Sequence, residues 1–181
     1  STLSLKLSNA EPVVNPRESG LPRSSPSEQG VDPTSIRDFL NMIHQRNANL
    51  HSVMIAKNDF VIAEGWWAPY APNLKHTFYS LSKSFTSTAV GMATSEKFFS
   101  LEDPVLSFFK EKAPSDASDN LRSMKVKHLL MMGAGHSADS LLGADFSNPS
   151  GDWIKSVLEK KVDHIPGTHF VYNNGATFLL S

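Results

Sequence analysis

Apolar residues recur at helical spacing in Ile36, Phe39, Leu40 and Ile43, which predicts a helix from Asp32-Pro33 to about Arg46. Asp32 suits the N-cap, and Pro33 suits the first helical position, where its missing N–H costs nothing. The period then changes. Ser52–Lys57 and Phe60–Gly65 are short runs containing β-branched residues, and Asn58-Asp59 between them suits a tight hairpin. Trp66 to Thr77 reads as loop plus strand, interrupted by Pro69 and Pro72. A helix opens at Ser80 with Leu81, Phe85, Ala89 and Met92 on one side and ends near Glu96-Lys97. Ser100-Leu101-Glu102-Asp103-Pro104 begins another short helix, and 113–120 is a polar connection. Val126–Met132 predicts a helix that stops at Gly133. Ser150–Lys161 predicts one more, with Trp153, Ile154, Val157 and Leu158 apolar. Pro166-Gly167 marks a turn before Phe170-Val171-Tyr172.

Residues 1–32 are rich in Pro, Ser and charge without sustained period, and read as an extended N-terminal strap. Residues 33–181 then form the body, with the stretch from about 100 to 165 mostly helical. No internal repeat is present. The mixture of hairpin and helices predicts an α/β fold with an antiparallel sheet. The chain stops inside the apolar run Phe178-Leu179-Leu180, whereas domain ends are usually polar. This predicts a helix that is cut, or that packs on something outside the chain.

Composition narrows the function classes. The 181 residues are 40% hydrophobic with a formal net charge of −1, a balance that offers no footprint for nucleic acid. With no Cys, thiol catalysis, disulfides and Cys-ligated zinc are excluded. No apolar run approaches membrane-spanning length. The seven histidines show no His-x-x-x-His or similar ligand spacing, so no metal site is expected.

The densest chemistry lies in Phe78-Tyr79-Ser80-Leu81-Ser82-Lys83-Ser84-Phe85-Thr86. A serine hydroxyl is a poor nucleophile until a nearby base takes its proton. On a helix Lys83 stands one turn above Ser80, and the first turn leaves backbone N–H groups available to an oxyanion. The same local pattern also fits an N-cap serine beside a solvated lysine. Ser107-Phe108-Phe109-Lys110 repeats the Ser-x-x-Lys spacing, but its neighbours read as packing residues on a short helix face. Ser118-Asp119-Asn120 reads as a turn or as the cap of the following segment. In Tyr172-Asn173-Asn174, a phenol near an ammonium can act as a proton relay, and the Asn174 amide can both donate to and accept from an amide substrate. Trp66, Trp67 and Tyr70 read as core or loop packing.

Taken in order, these segments resemble the class C β-lactamase and penicillin-binding-protein family of serine hydrolases, which includes esterases and aminohexanoate-oligomer hydrolases. The Ser80–Lys83 segment is similar to the family's nucleophile segment. Leu101–Val105 is similar to the stretch that follows it, and Val126–Met132 to the run leading to a Ser-Gly-like turn. Pro166-Gly167-Thr168-His169-Phe170-Val171-Tyr172-Asn173-Asn174 is similar to Pro-Gly-x-x-Phe-x-Tyr-x-Asn. The resemblance covers roughly residues 35 to 181. It implies a β-lactamase/transpeptidase-like fold and hydrolysis of a small amide or ester through an acyl-enzyme, with no cofactor, metal or organic. It further implies Ser80 as nucleophile, Lys83 as partner base, Tyr172 as proton relay and Asn174 as substrate-orienting amide. How the proton work divides between Lys83 and Tyr172 stays open, because coupled groups titrate as a set. The resemblance also suggests work outside the cytoplasm.

Two departures stand out. The family's third motif, Lys-Thr-Gly or His-x-Gly on a strand facing the serine, does not occur, and Gly133-Ala134-Gly135-His136 alters the usual Thr/Ser-Ser-Gly pattern. The chain therefore reads as the N-terminal portion of a longer hydrolase, with a C-terminal remainder or a second chain expected to complete the sheet. The alternative to a β-lactamase or DD-peptidase-like enzyme is an esterase or oligomer amidase on the same scaffold, or a non-catalytic fragment.

Overall fold

The structure, a computed structural model, describes residues 3–6, 20–143 and 151–181. The chain divides into two compact units, Ser1–His76 and Thr77–Ser181.

Among its described residues, the first unit is a three-stranded antiparallel sheet with one helix. Strand β1 (Leu3–Lys6) lies in the stretch expected as a strap and pairs with β3 (Phe60–Trp67), which pairs in turn with β2 (Ser52–Lys57). The hairpin forms as predicted because Asn58 (φ 50°) and Asp59 (φ 64°) both take the left-handed conformation that a primed two-residue turn requires. The register shifts between Ile55 and Ala56, which face Ala63 and Val61, so Ile62 is the extra residue of a bulge. Helix α1 (Pro33–Gln45) starts where Asp32 accepts a hydrogen bond from the Thr34 N–H. Its Ile36, Leu40 and Ile43 pack on Ile62 and Ala63, whereas Phe39, expected on the same apolar face, stays partly exposed. The strand expected between Trp66 and Thr77 is a correction: β3 runs on to Trp67, and turns follow. Tyr70 there stacks on His51 with ring centroids 3.9 Å apart, which satisfies a loop aromatic without a strand.

The second unit is helical. A 3-10 turn at Tyr79–Leu81 leads into α2 (Ser82–Ser95), so Ser80 precedes the α-helix proper instead of opening it. Lys97 takes φ 63° beyond the C-terminus, as a left-handed helix stop does. Of α2 only Val90 is buried; Phe85 and Met92, on its apolar side, are exposed, as is Leu81 in the 3-10 turn before it. Residues 100–104 form turns that lead into a 3-10 turn at Val105–Ser107, with Leu101 and Asp103 accepting backbone hydrogen bonds from Lys127 and Val126 across the chain. Ser118 caps α3 (Asp119–Ser123), accepting from the Leu121 N–H, in agreement with its reading as a cap. Helices α4 (Val126–Leu130) and α5 (Trp153–Leu158) are shorter than expected; Ser150, the expected start of α5, lies outside the described residues. Helix α6 (Asn174–Leu180) closes the chain and packs on α4 and α2. Val105, Leu121, Met124, Leu129, Leu158, Val162 and Ala176 form the core beneath these helices.

Candidate active site

The segment before α6 is placed by backbone pairing, not by a strand. His164 and Gly167 donate backbone hydrogen bonds to the Gly135 and Gly133 carbonyls (2.9 and 2.7 Å), and Val171 donates to Met132 (3.0 Å). Phe170–Tyr172 is thus an irregular segment laid along the 132–135 loop. Gly135 is needed for this approach. It has φ 89°, and a Cβ there would collide with the His164 carbonyl oxygen.

Asn173 then anchors the helix start. It is buried, caps α6 by accepting from the Ala176 N–H (3.2 Å), and accepts from both the N–H and the hydroxyl of Ser140 (3.1 and 2.8 Å). With its carbonyl oxygen taken by three donors, its amide NH2 faces His136 Nδ1 at 3.3 Å. His136 Nδ1 must therefore accept, which puts the ring proton on Nε2. Burial pushes the His136 pKa below 6.5, against the opposing pull of Asp163 and Asp139. An unfolded chain would bind this proton at a higher pH than the folded one, so stability rises with pH in that window. Acidification below 6.5 is expected to lower the urea midpoint of the protein until the depressed folded pKa is passed. A His136→Gln variant should lose that part of the pH dependence, and an unchanged pH profile in the variant would contradict the assignment.

Anchored this way, Tyr172 and Asn174 flank Asn173 and meet the start of α2. Tyr172 OH donates to Ser80 Oγ at 2.6 Å, and Lys83 Nζ donates to Ser80 Oγ at 3.2 Å. Lys83 Nζ also donates to Asn174 Oδ1 at 2.7 Å and lies 5.2 Å from the centre of the Tyr172 ring. The four residues singled out from sequence therefore stand together. The Tyr172 pKa is lowered from its usual value, first by the hydrogen bond with Ser80, then by its contact with Lys83, with burial and Asp139 opposing.

One residue of the cluster was not anticipated. Asp139 accepts from the Asn174 side-chain NH2 (2.6 Å), from the backbone N–H groups of Asn174 (2.9 Å) and Gly175 (3.4 Å), and from Leu141 (3.1 Å). Burial works to raise its pKa, but these hydrogen bonds, led by the Asn174 side chain, hold it below the ordinary carboxylate value. Asn173 was passed over as well, although an Asn before an apolar run is a legible N-cap signal.

Ser107 Oγ donates to the Pro104 carbonyl within its own 3-10 turn. Among the described residues no group of three His, Asp or Glu side chains is arranged to hold a metal ion. No helix among them is long and apolar enough to cross a membrane.

A solved structure of similar fold is the "Putative 6-aminohexanoate-dimer hydrolase from Bacillus anthracis", with a TM-score of 0.59 and 18% sequence identity. The match covers 78% of this chain and 40% of that one, so it takes in less than half of that protein. Residues 41–181 match the family described as Beta-lactamase, and with that extent of match the chain belongs to the Beta-lactamase family, with its β-lactamase-like α/β fold.

Proposed function

We propose that the protein is a serine hydrolase that cleaves a carboxylic ester or amide through an acyl-enzyme on Ser80. Membership of the family supports a hydrolase in general. The observation that carries the finer reading is the convergence of Tyr172 OH and Lys83 Nζ on Ser80 Oγ, at 2.6 and 3.2 Å.

In this reading the Lys83–Tyr172 pair, once deprotonated, takes the Ser80 hydroxyl proton as Oγ bonds to the substrate carbonyl carbon. The Ser80 backbone N–H faces the developing oxyanion. The bond to the leaving group breaks as that group takes the proton from the pair. Water then gives a proton to the pair as its oxygen bonds to the acyl carbon, and the bond to Oγ breaks as Ser80 takes that proton from the pair, releasing the acid and restoring the hydroxyl. Asn174 still has one amide N–H and one carbonyl lone pair free of Asp139 and Lys83, which can hold a substrate amide. A small ester, a β-lactam or an amide oligomer all fit this chemistry.

The test is intact-mass analysis after incubation with a fluorophosphonate and, separately, a penicillin-type probe. A single adduct that maps to Ser80 and is absent in Ser80→Ala is the expected result. Stoichiometric labelling that persists in Ser80→Ala would refute the reading. Reaction with the fluorophosphonate alone would assign an esterase or amidase preference over β-lactams.

A further inference from the structure

Asn174 sits between two neighbours of opposite hydrogen-bonding character. Asp139 Oδ2 lies 2.6 Å from its Nδ2, and Lys83 Nζ lies 2.7 Å from its Oδ1. An ionised carboxylate only accepts and an ammonium only donates. An amide, by contrast, presents two edges of nearly the same shape and can face either way. We propose that Asp139 is a positioning residue: by accepting only, it forces the Asn174 NH2 toward itself and the Asn174 carbonyl toward Lys83, and so holds the Lys83 ammonium at Ser80. This inference deepens the acyl-enzyme reading and rests on it.

The geometry separates this role from simple capping. One oxygen of Asp139 takes the backbone N–H groups of Leu141, Asn174 and Gly175, while the other faces the Asn174 side chain. The loop and the start of α6 therefore need only an oxygen on the first edge. Asp139→Asn can keep that oxygen in place and turn an NH2 toward Asn174. The Asn174 amide must then either meet a second donor or flip, and a flip points its NH2 at the Lys83 ammonium. Half-burial of Asp139 limits rescue by water.

The experiment measures the rate of Ser80 labelling by the fluorophosphonate across pH in the protein and in Asp139→Asn, Asn174→Ala and the double variant. Asp139→Asn is expected to label about 10- to 100-fold more slowly, with a displaced pH profile and a denaturation midpoint close to that of the unsubstituted protein. The double variant should be no slower than Asn174→Ala, because Asp139 acts only through that amide. Labelling of Asp139→Asn at the original rate, or losses that multiply in the double variant, would overturn the proposal. If the unsubstituted protein shows no Ser80 adduct, the acyl-enzyme reading fails by itself. The Asn174 side-chain NH2 resonances then decide the positioning role. Protons protected from exchange that lose protection in Asp139→Asn would uphold Asp139's hold on the amide, and unprotected protons in the unsubstituted protein would refute it.

Discussion

Replacing Lys83 by Met is expected to slow Ser80 acylation by about a thousandfold. The side chain keeps its length and loses both its charge and its proton-carrying nitrogen. Three consequences follow from the contacts. Ser80 Oγ loses a partner at 3.2 Å, Asn174 Oδ1 loses its donor at 2.7 Å, and Tyr172 loses the nearby cation that helps lower its pKa. Tyr172 is thus expected to ionise at higher pH in Lys83→Met, nearer to its usual value of 10.0. In the proposed mechanism acylation requires the deprotonated pair, so the residual rate should rise only at correspondingly higher pH. Ultraviolet difference titration of the tyrosines, with Tyr172→Phe as reference, follows the ionisation, and probe labelling follows the rate. A Lys83→Met protein that labels as fast as the original would remove Lys83 from the mechanism.

Asn173→Ala should be the most damaging substitution for the fold around the site. Its side chain is 1% exposed and accepts from the Ser140 N–H, the Ser140 hydroxyl and the Ala176 N–H. Alanine leaves these donors buried with nothing in place of the oxygen, and it removes the N-cap of a seven-residue helix. A lost cap costs about 1 kcal/mol, and each buried unsatisfied donor about 1 to 3 kcal/mol. Partial relaxation of the Ser140 loop will recover some of this, so a loss of about 3 kcal/mol is the expectation. Because Tyr172 and Asn174 adjoin the position, labelling of Ser80 should fall with it. Chemical denaturation gives the stability; a midpoint shift worth less than about 1 kcal/mol would show that water or a shifted loop replaces the anchor.

The local elements were legible because their causes are local. Asp32-Pro33 starts α1, Asn58-Asp59 turns the hairpin, and Ser118 caps α3 through contacts two or three residues away. The Ser80 and Lys83 pairing belongs to the same class, since one helical turn brings them together. One departure had a long-range cause. Residues 100–104 look helical in isolation, yet their carbonyls are taken by residues 126 and 127.

For this protein, the sequence by itself determined the hairpin, the start of α1, the Ser80–Lys83 pair and, through its resemblance to a family, the candidacy of Tyr172 and Asn174. Periodicity also marked an apolar face on α2, but not its surroundings: Phe85 and Met92 are exposed, because a period records which side is apolar and not what packs on it. Only the tertiary structure decided that Tyr172 reaches Ser80, that Asn173 is the buried anchor, and that Asp139 holds Asn174. These are contacts between residues 33 to 92 positions apart in the chain. A hydrogen bond across such a separation leaves no spacing in the sequence, because its geometry comes from the folding of everything between.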